Sequence, residues 1–216
     1  MHKYICQSWQ GLIQMVVFLV SRGYHHYCLT VFPVVKKDKW MAIDAKLIAR
    51  YQTDLSKWQR ARRKKDGKAN YYYLRWNEIA IILHTAGSSD IDTAGDMFCD
   101  IRQKAMVISV SALVSFSIRP HIVNGKNHIE VKLTKETYTG IKNNLHEIAK
   151  TNNAWKVSAE LKKLNGFPCY SQIIRQKRQL VEYAIKQAKR HQLVVDKRQI
   201  PILTRLKRYP VFFESI

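Results

Sequence analysis

Between Ser56 and Trp76 the chain reads SKWQRARRKKDGKANYYYLRW. This stretch holds Lys57, Arg60, Arg62, Arg63, Lys64, Lys65 and Lys68 against a single acid, Asp66, and then Tyr71, Tyr72 and Tyr73 in a row, followed by Arg75 and Trp76. Cations packed this densely repel one another unless a partner neutralises them. Ammonium and guanidinium groups answer phosphates, and flat rings beside them offer faces on which unpaired bases stack. The stretch is therefore read as a nucleic-acid-binding segment. In a strand, Tyr71 and Tyr73 share one face and Tyr72 takes the other. Each buried tyrosine hydroxyl needs a partner, so at least one of these faces is expected to lie open to solvent. A second cationic set, Arg175, Arg178, Lys186 and Lys189, falls on one side of a predicted long helix, Ser171 to Gln192, opposite Ile174, Leu180, Val181, Ala184, Ile185 and Ala188.

Other residues invite metal chemistry. His25 and His26 are neighbours on a predicted strand, so they point to opposite faces and do not chelate one ion together. Asp90, Asp92, Asp96 and Asp100 form the one acidic segment, with His84 just before it; carboxylate oxygens of this kind bind hard divalent cations. Glu130-Val131-Lys132 has the form of the ExK half of a restriction-type nuclease site, in which a carboxylate holds the metal and a lysine two residues on reaches the same face. No Pro-Asp pair precedes it, and surface alternation on a strand explains the same tripeptide. A metal-dependent nuclease using His84, Asp90, Asp92 and Glu130 is thus an alternative reading, and the one in which a divalent metal is required. With no complete constellation, no catalytic residue, resident metal or cofactor is assigned.

The signatures GxxxxGK[ST], GxGxxG, GxSxG, HExxH and the CxxC finger are absent from the sequence. The order strand, basic helix, hairpin, helices resembles in layout the rolling-circle replication initiators and relaxases. That resemblance implies a replication or mobile-element setting. Those enzymes carry a His-hydrophobic-His pair on a strand and a nucleophilic tyrosine on a helix. Here no HxH occurs, and Tyr71 to Tyr73 fall on a predicted strand.

The whole chain supports the electrostatic reading. It has 216 residues and a formal net charge of +21, from 37 Lys+Arg against 16 Asp+Glu. Residues 34–86 carry 13 basic and 5 acidic groups, 87–100 carry four acids and no base, and 167–216 carry 11 basic and 3 acidic groups. A surplus this large calls for a polyanion, DNA or RNA, and a structural RNA-binding protein of a ribonucleoprotein is a further alternative. The 46% hydrophobic content is that of a folded protein with a core of its own. Cys6, Cys28, Cys99 and Cys169 form no CxxC pair and suit a reducing cytoplasm. Leu12 to Val20 is apolar except for Gln14, but it is shorter than the roughly 20 residues that cross a bilayer, so it is read as a buried helix over residues 8–22 and no membrane partner is expected.

Periodicity supplies the remaining elements. Tyr24 to Phe32, Tyr71 to Trp76 and Ile79 to Thr85 are predicted strands, the last two joined at Asn77-Glu78. Trp40 to Tyr51 is a helix, and the basic segment follows as another, capped by Asp54 or Ser56 and ended near Gly67. Ala105 to Arg119 is one long strand or two with a bulge; Asn124-Gly125 is a hairpin turn, returning as His128 to Leu133. From Thr134 the chain is helical, with Pro210 to Phe213 as a final edge strand. The expected fold is α+β: a mixed or antiparallel sheet of about five strands with helices on one side and a helical C-terminal third. Residues 1–133 would form the sheet-containing nucleic-acid-binding core and 134–216 a helical region packed on it. If the blocks at 57–68 and 175–190 both touch phosphates, about six to ten contacts form. Affinity for nucleic acid then falls about 10³- to 10⁵-fold between about 50 and 200 mM salt, and a nearly flat log–log plot by fluorescence anisotropy would remove nucleic acid as the main partner.

Overall fold

The computed structural model describes residues 4–93 and 95–213. The protein is α+β, with two antiparallel sheets of four and three strands in place of the single sheet of about five. Contacts divide the chain into two units, one of residues 1–106, 119–129 and 208–216, the other of 107–118 and 130–207.

In the first unit, helix α1 (Trp9–Ser21) starts where the Ser8 hydroxyl accepts the Gly11 amide. Its apolar side, Leu12, Ile13, Val16, Leu19 and Val20, is buried. The single polar residue in that run has a purpose: the Gln14 amide donates to the Tyr209 carbonyl and accepts the Tyr209 N–H. Gln7 holds the same segment through Val211 and Phe212, and Cys6 bridges Phe212 as an antiparallel pair. Pro210 to Phe213 is thus held by one isolated bridge and these hydrogen bonds, and does not form the edge strand expected of it. Gly11 lets it pass, since a Cβ there would sit 3.0 Å from the Pro210 carbonyl.

Strands β1 (His26–Val31), β2 (Tyr71–Trp76), β3 (Ile79–His84) and β4 (Cys99–Asp100) form the four-stranded sheet in the order β2-β3-β1-β4. The β2–β3 hairpin turns at Asn77, whose left-handed φ of 47° suits asparagine. Register places His26, His84 and Tyr71 abreast, and Cys28, Ile82 and Tyr73 abreast two residues on. Helix α2 (Trp40–Tyr51) covers this face with Trp40 and Tyr51, which join Tyr71, Tyr73, Ala80 and Ile82 in one core. The outer edge of β2 is not left open: Arg75 exchanges backbone hydrogen bonds with Tyr4 and Cys6.

At the centre of that core sits Asp44 of α2, fully buried. Its carboxylate accepts the Tyr73 hydroxyl at 2.6 Å, Arg75 Nε at 2.9 Å and Arg75 Nη2 at 2.8 Å. Arg75 also donates to the Asn77 carbonyl and lies 5.6 Å from the Trp40 ring centre. Burial, reinforced by the adjacent carboxylate, raises the Tyr73 hydroxyl pKa; Tyr4, whose ring lies 5.4 Å from that of Tyr73, is pushed up to about 12 for the same reasons.

The three-stranded sheet has the order β5-β6-β7, from β5 (Met106–Ser109), β6 (Ser115–Val123) and β7 (Lys126–Leu133). The long apolar run therefore breaks into two strands at a turn in which the Val110 N–H donates to the Val114 carbonyl and the Val114 N–H to the Ser111 carbonyl, rather than continuing through a bulge. Asn124 and Gly125 both take positive φ, 50° and 73°, the pattern of a type I′ hairpin. In the second unit, α4 (Lys135–Lys150), α5 (Ala154–Lys163) and α6 (Ser171–Arg190) enclose a core of Leu145, Val157, Leu161, Leu164, Leu180, Val181 and Ala184. Thr134 caps α4, and the Gln176 side chain of α6 clamps both backbone groups of Leu133.

Removing one member of a buried, hydrogen-bonded ion pair strands the other. Asp44→Ala is expected to destabilise the protein by about 3–5 kcal/mol in urea denaturation. Asp44→Leu combined with Arg75→Met should cost less than the sum of the two single changes, because no charge is then left unpaired.

Candidate nucleic-acid interface

The basic segment is helix α3 (Lys57–Lys65). Its start is fixed by a capping box: Ser56 Oγ accepts the Gln59 N–H, and Gln59 Oε1 accepts the Ser56 N–H at 2.7 Å. Its end is fixed by Gly67, which takes a φ of +69°. Just beyond, Gly67 and Ala69 hydrogen-bond to Ser88, and a Cβ on Gly87 would fall 2.6 Å from the Ala69 nitrogen. Any other residue at 87 would push the end of the basic segment aside.

The fold sorts the cations of this segment into two groups. Arg60 faces inward: Nε donates to the Leu55 carbonyl at 3.1 Å, Nη1 to Tyr71 at 2.8 Å and Nη2 to Thr53, while its guanidinium lies 4.7 Å from the Tyr72 ring centre. Arg63 donates to the Gln52 side chain at 2.9 Å. These two tie α3 to the α2–α3 loop and to β2. Lys57, Arg62, Lys64, Lys65 and Lys68 are exposed. Among the described residues no carboxylate lies within ion-pair distance of the first four, and Lys68 reaches Asp90 at 3.5 Å across a solvated gap of little energetic weight.

The tyrosine run does not form the open platform expected of it. Tyr71 and Tyr73 are buried, their hydroxyls partnered by Ser89 and Asp44. Arg75, expected among the phosphate contacts, is buried on the same carboxylate. Tyr72, on the other face, is half-buried, and its pKa is raised by burial. It lines a cavity of about 610 Å³ with Tyr4, Phe18, Ile48, Lys57 and Arg60. Within this segment the aromatic that does stand in water is Trp58 on α3, 82% exposed. The sequence reading passed over it in favour of the tyrosines; its place outside any apolar stripe of the helix was the available signal.

On α6, Arg175, Arg178, Lys186 and Lys189 are all exposed, at the spacing of one helical stripe. The fifth cation between them behaves differently. Lys177 is fully buried, its Nζ donating to the Phe167 carbonyl at 2.8 Å and lying 3.8 Å from Cys169 Sγ. Burial pulls its pKa down.

The residues of the metal reading are engaged elsewhere. His84 stacks between His26, at 4.6 Å, and Tyr71, at 4.9 Å, with Phe98 edge-on; burial lowers its pKa. Asp96 accepts Arg50 and the Tyr51 hydroxyl, and Asp100 accepts Arg102, which holds its carboxyl down at about 2. Glu130 and Lys132 share a face, as the tripeptide predicts, and pair with each other at 3.4 Å. Among the described residues no group of three or more His, Cys, Asp or Glu is placed to hold a metal ion, and no helix is long and apolar enough to cross a membrane. No family model, curated protein or solved structure matches the chain.

The two groups of cations should respond differently to removal. Arg62→Ala and Lys65→Ala are each expected to lower the salt-dependence slope of nucleic-acid binding by about 1 without loss of stability. Arg60→Ala leaves three carbonyls without their donor and should instead destabilise the fold by about 1–3 kcal/mol in denaturant titration.

Proposed function

We propose that this protein binds nucleic acid through the phosphate backbone, with α3 as the principal contact element and the outer stripe of α6 as a second cationic surface. The observation that carries this reading is the set Lys57, Arg62, Lys64 and Lys65, exposed on one short helix with no carboxylate in pairing distance among the described residues. Four uncompensated cations within nine residues can neutralise phosphates and displace the cations condensed on a nucleic acid, and release of those cations favours binding. The contacts are to charge rather than to base edges, so the protein tolerates sequence. Its setting in a replication or mobile-element system follows from the layout resemblance. Four free thiols, Cys6, Cys28, Cys99 and Cys169, are in keeping with the cytoplasm.

Labelled oligonucleotides of two unrelated sequences, each offered as single-stranded DNA, duplex DNA and RNA at low salt, test the reading. Within one strandedness the two sequences should bind within about tenfold of each other, far below the ratio of about 10³ or more shown by specific readers. A ratio in that higher range, or no binding to any probe, would defeat it.

A further inference from the structure

We infer that Trp58 is a base-stacking residue and that the nucleic acid held by α3 is single-stranded where it meets this helix. The inference deepens the proposed function and rests on it. Helix α3 has no buried residue, and its apolar side chains are those of Trp58 and Ala61 alone. An indole left 82% exposed on such a helix contributes nothing to the core. Its direction is set by the fold. At about 100° per residue, Trp58, Arg62 and Lys65 fall within about 60° of one another, and Arg60 and Arg63 fall on the opposite side. Those two inward arginines are bonded to the Thr53, Leu55 and Tyr71 carbonyls and to Gln52. The side facing away from the protein body therefore presents an indole with a guanidinium one turn on and an ammonium two turns on.

Charge complementarity selects a polyanion for this face, and the indole narrows the choice. A duplex keeps its base faces stacked inside and offers phosphates and groove edges, so it would engage Arg62 and Lys65 and leave Trp58 unused. A single strand offers both phosphates and free base faces. An anionic lipid surface also attracts cations and tryptophan, but a helix that lies in a membrane interface buries a continuous apolar face, and α3 has none. A second copy of this surface would meet it with like charge.

The test uses the full chain as wild type, Trp58→Ala, Trp58→Phe and the double variant Arg62→Ala/Lys65→Ala. Probes are a labelled 12-nucleotide single strand, the matching duplex, and vesicles of phosphatidylserine and phosphatidylcholine. Trp58→Ala should weaken single-strand binding about 5- to 100-fold, with duplex affinity within about twofold of wild type and the salt slope unchanged; Trp58→Phe should keep most of the affinity. The double variant should weaken both nucleic acids and flatten the slope. Equal effects of Trp58→Ala on single strand and duplex, or none on the single strand, would overturn the inference. So would a loss confined to vesicles, which would assign the indole to a lipid surface. If wild type binds neither nucleic acid, the proposed function itself fails; if it binds with a steep slope and Trp58→Ala is silent, the stacking role alone fails. Circular dichroism of each variant keeps misfolding apart from lost contact, and Trp58, being exposed, is replaceable without a cavity.

Discussion

The first sheet depends on one buried carboxylate. Asp44 sits where α2 crosses the sheet, out of contact with water, and it holds three groups at once: the Tyr73 hydroxyl and two guanidinium nitrogens of Arg75. A buried charge of this kind is tolerable only when its lone pairs are filled, and here both oxygens are. Satisfying Asp44 dictates which face of β2 turns inward. Tyr71 follows, because it lies two residues from Tyr73. Arg75 follows as well, and its backbone holds Tyr4 and Cys6, whose neighbour Gln7 holds Val211. The register of the sheet and the placement of Tyr4 to Gln7 and of Val211 thus trace back to one acid on α2.

That constraint reshapes the basic region beside it. With β2 anchored, Tyr71 offers a fixed backbone carbonyl to Arg60, and Thr53 and Leu55 offer two more. A guanidinium is rigid and carries its donors in a planar fork, so filling three of them orients the helix that bears it. Arg60 and Arg63 thereby become structural groups, and the remaining cations of α3 are turned outward as a consequence. The dense cationic run is not redundant: part of it fixes the orientation of the helix, and the rest is what the helix displays.

Much of the fold was legible in the sequence because local signals agreed with tertiary structure. Trp40–Tyr51 and the Asn124-Gly125 turn fall where spacing and turn chemistry place them, and Ser56 caps α3 as its position suggests. The division into two sheets was not legible, since strands carry no mark of which sheet they join, and β4 has only two residues. The candidate site was legible at the level of the segment and not of the side chain. Local composition shows that Arg60, Arg62 and Arg75 are all arginines; it does not show that a carboxylate on α2, 31 residues from Arg75 in the chain, awaits one of them. The rule that tyrosines need hydroxyl partners was sound, but Ser89 and Asp44 meet that need from distant parts of the sequence. Lys177 fell outside the sequence reading for the same reason, its amine being met by the Phe167 carbonyl.

The internal pairing also bears on what remains outside. If every one of the 16 acids neutralised one base, 37 − 16 = 21 cations would still lack a counter-charge. Many of the acids act close to home: Glu147 pairs with Lys150, Glu160 with Lys163 and Asp100 with Arg102, each within a few residues. Those pairs quiet α4, α5 and the β4 turn, while the exposed side of α3 has no acid of its own before Asp66. The positive field is therefore concentrated by the distribution of carboxylates as much as by the distribution of lysine and arginine. Self-repulsion on a helix this short opposes its folding, and the capping box together with the inward arginines offsets it. A phosphate backbone laid along the outer side would relieve the same repulsion, and its binding would then be coupled to the stability of α3 through one set of charges.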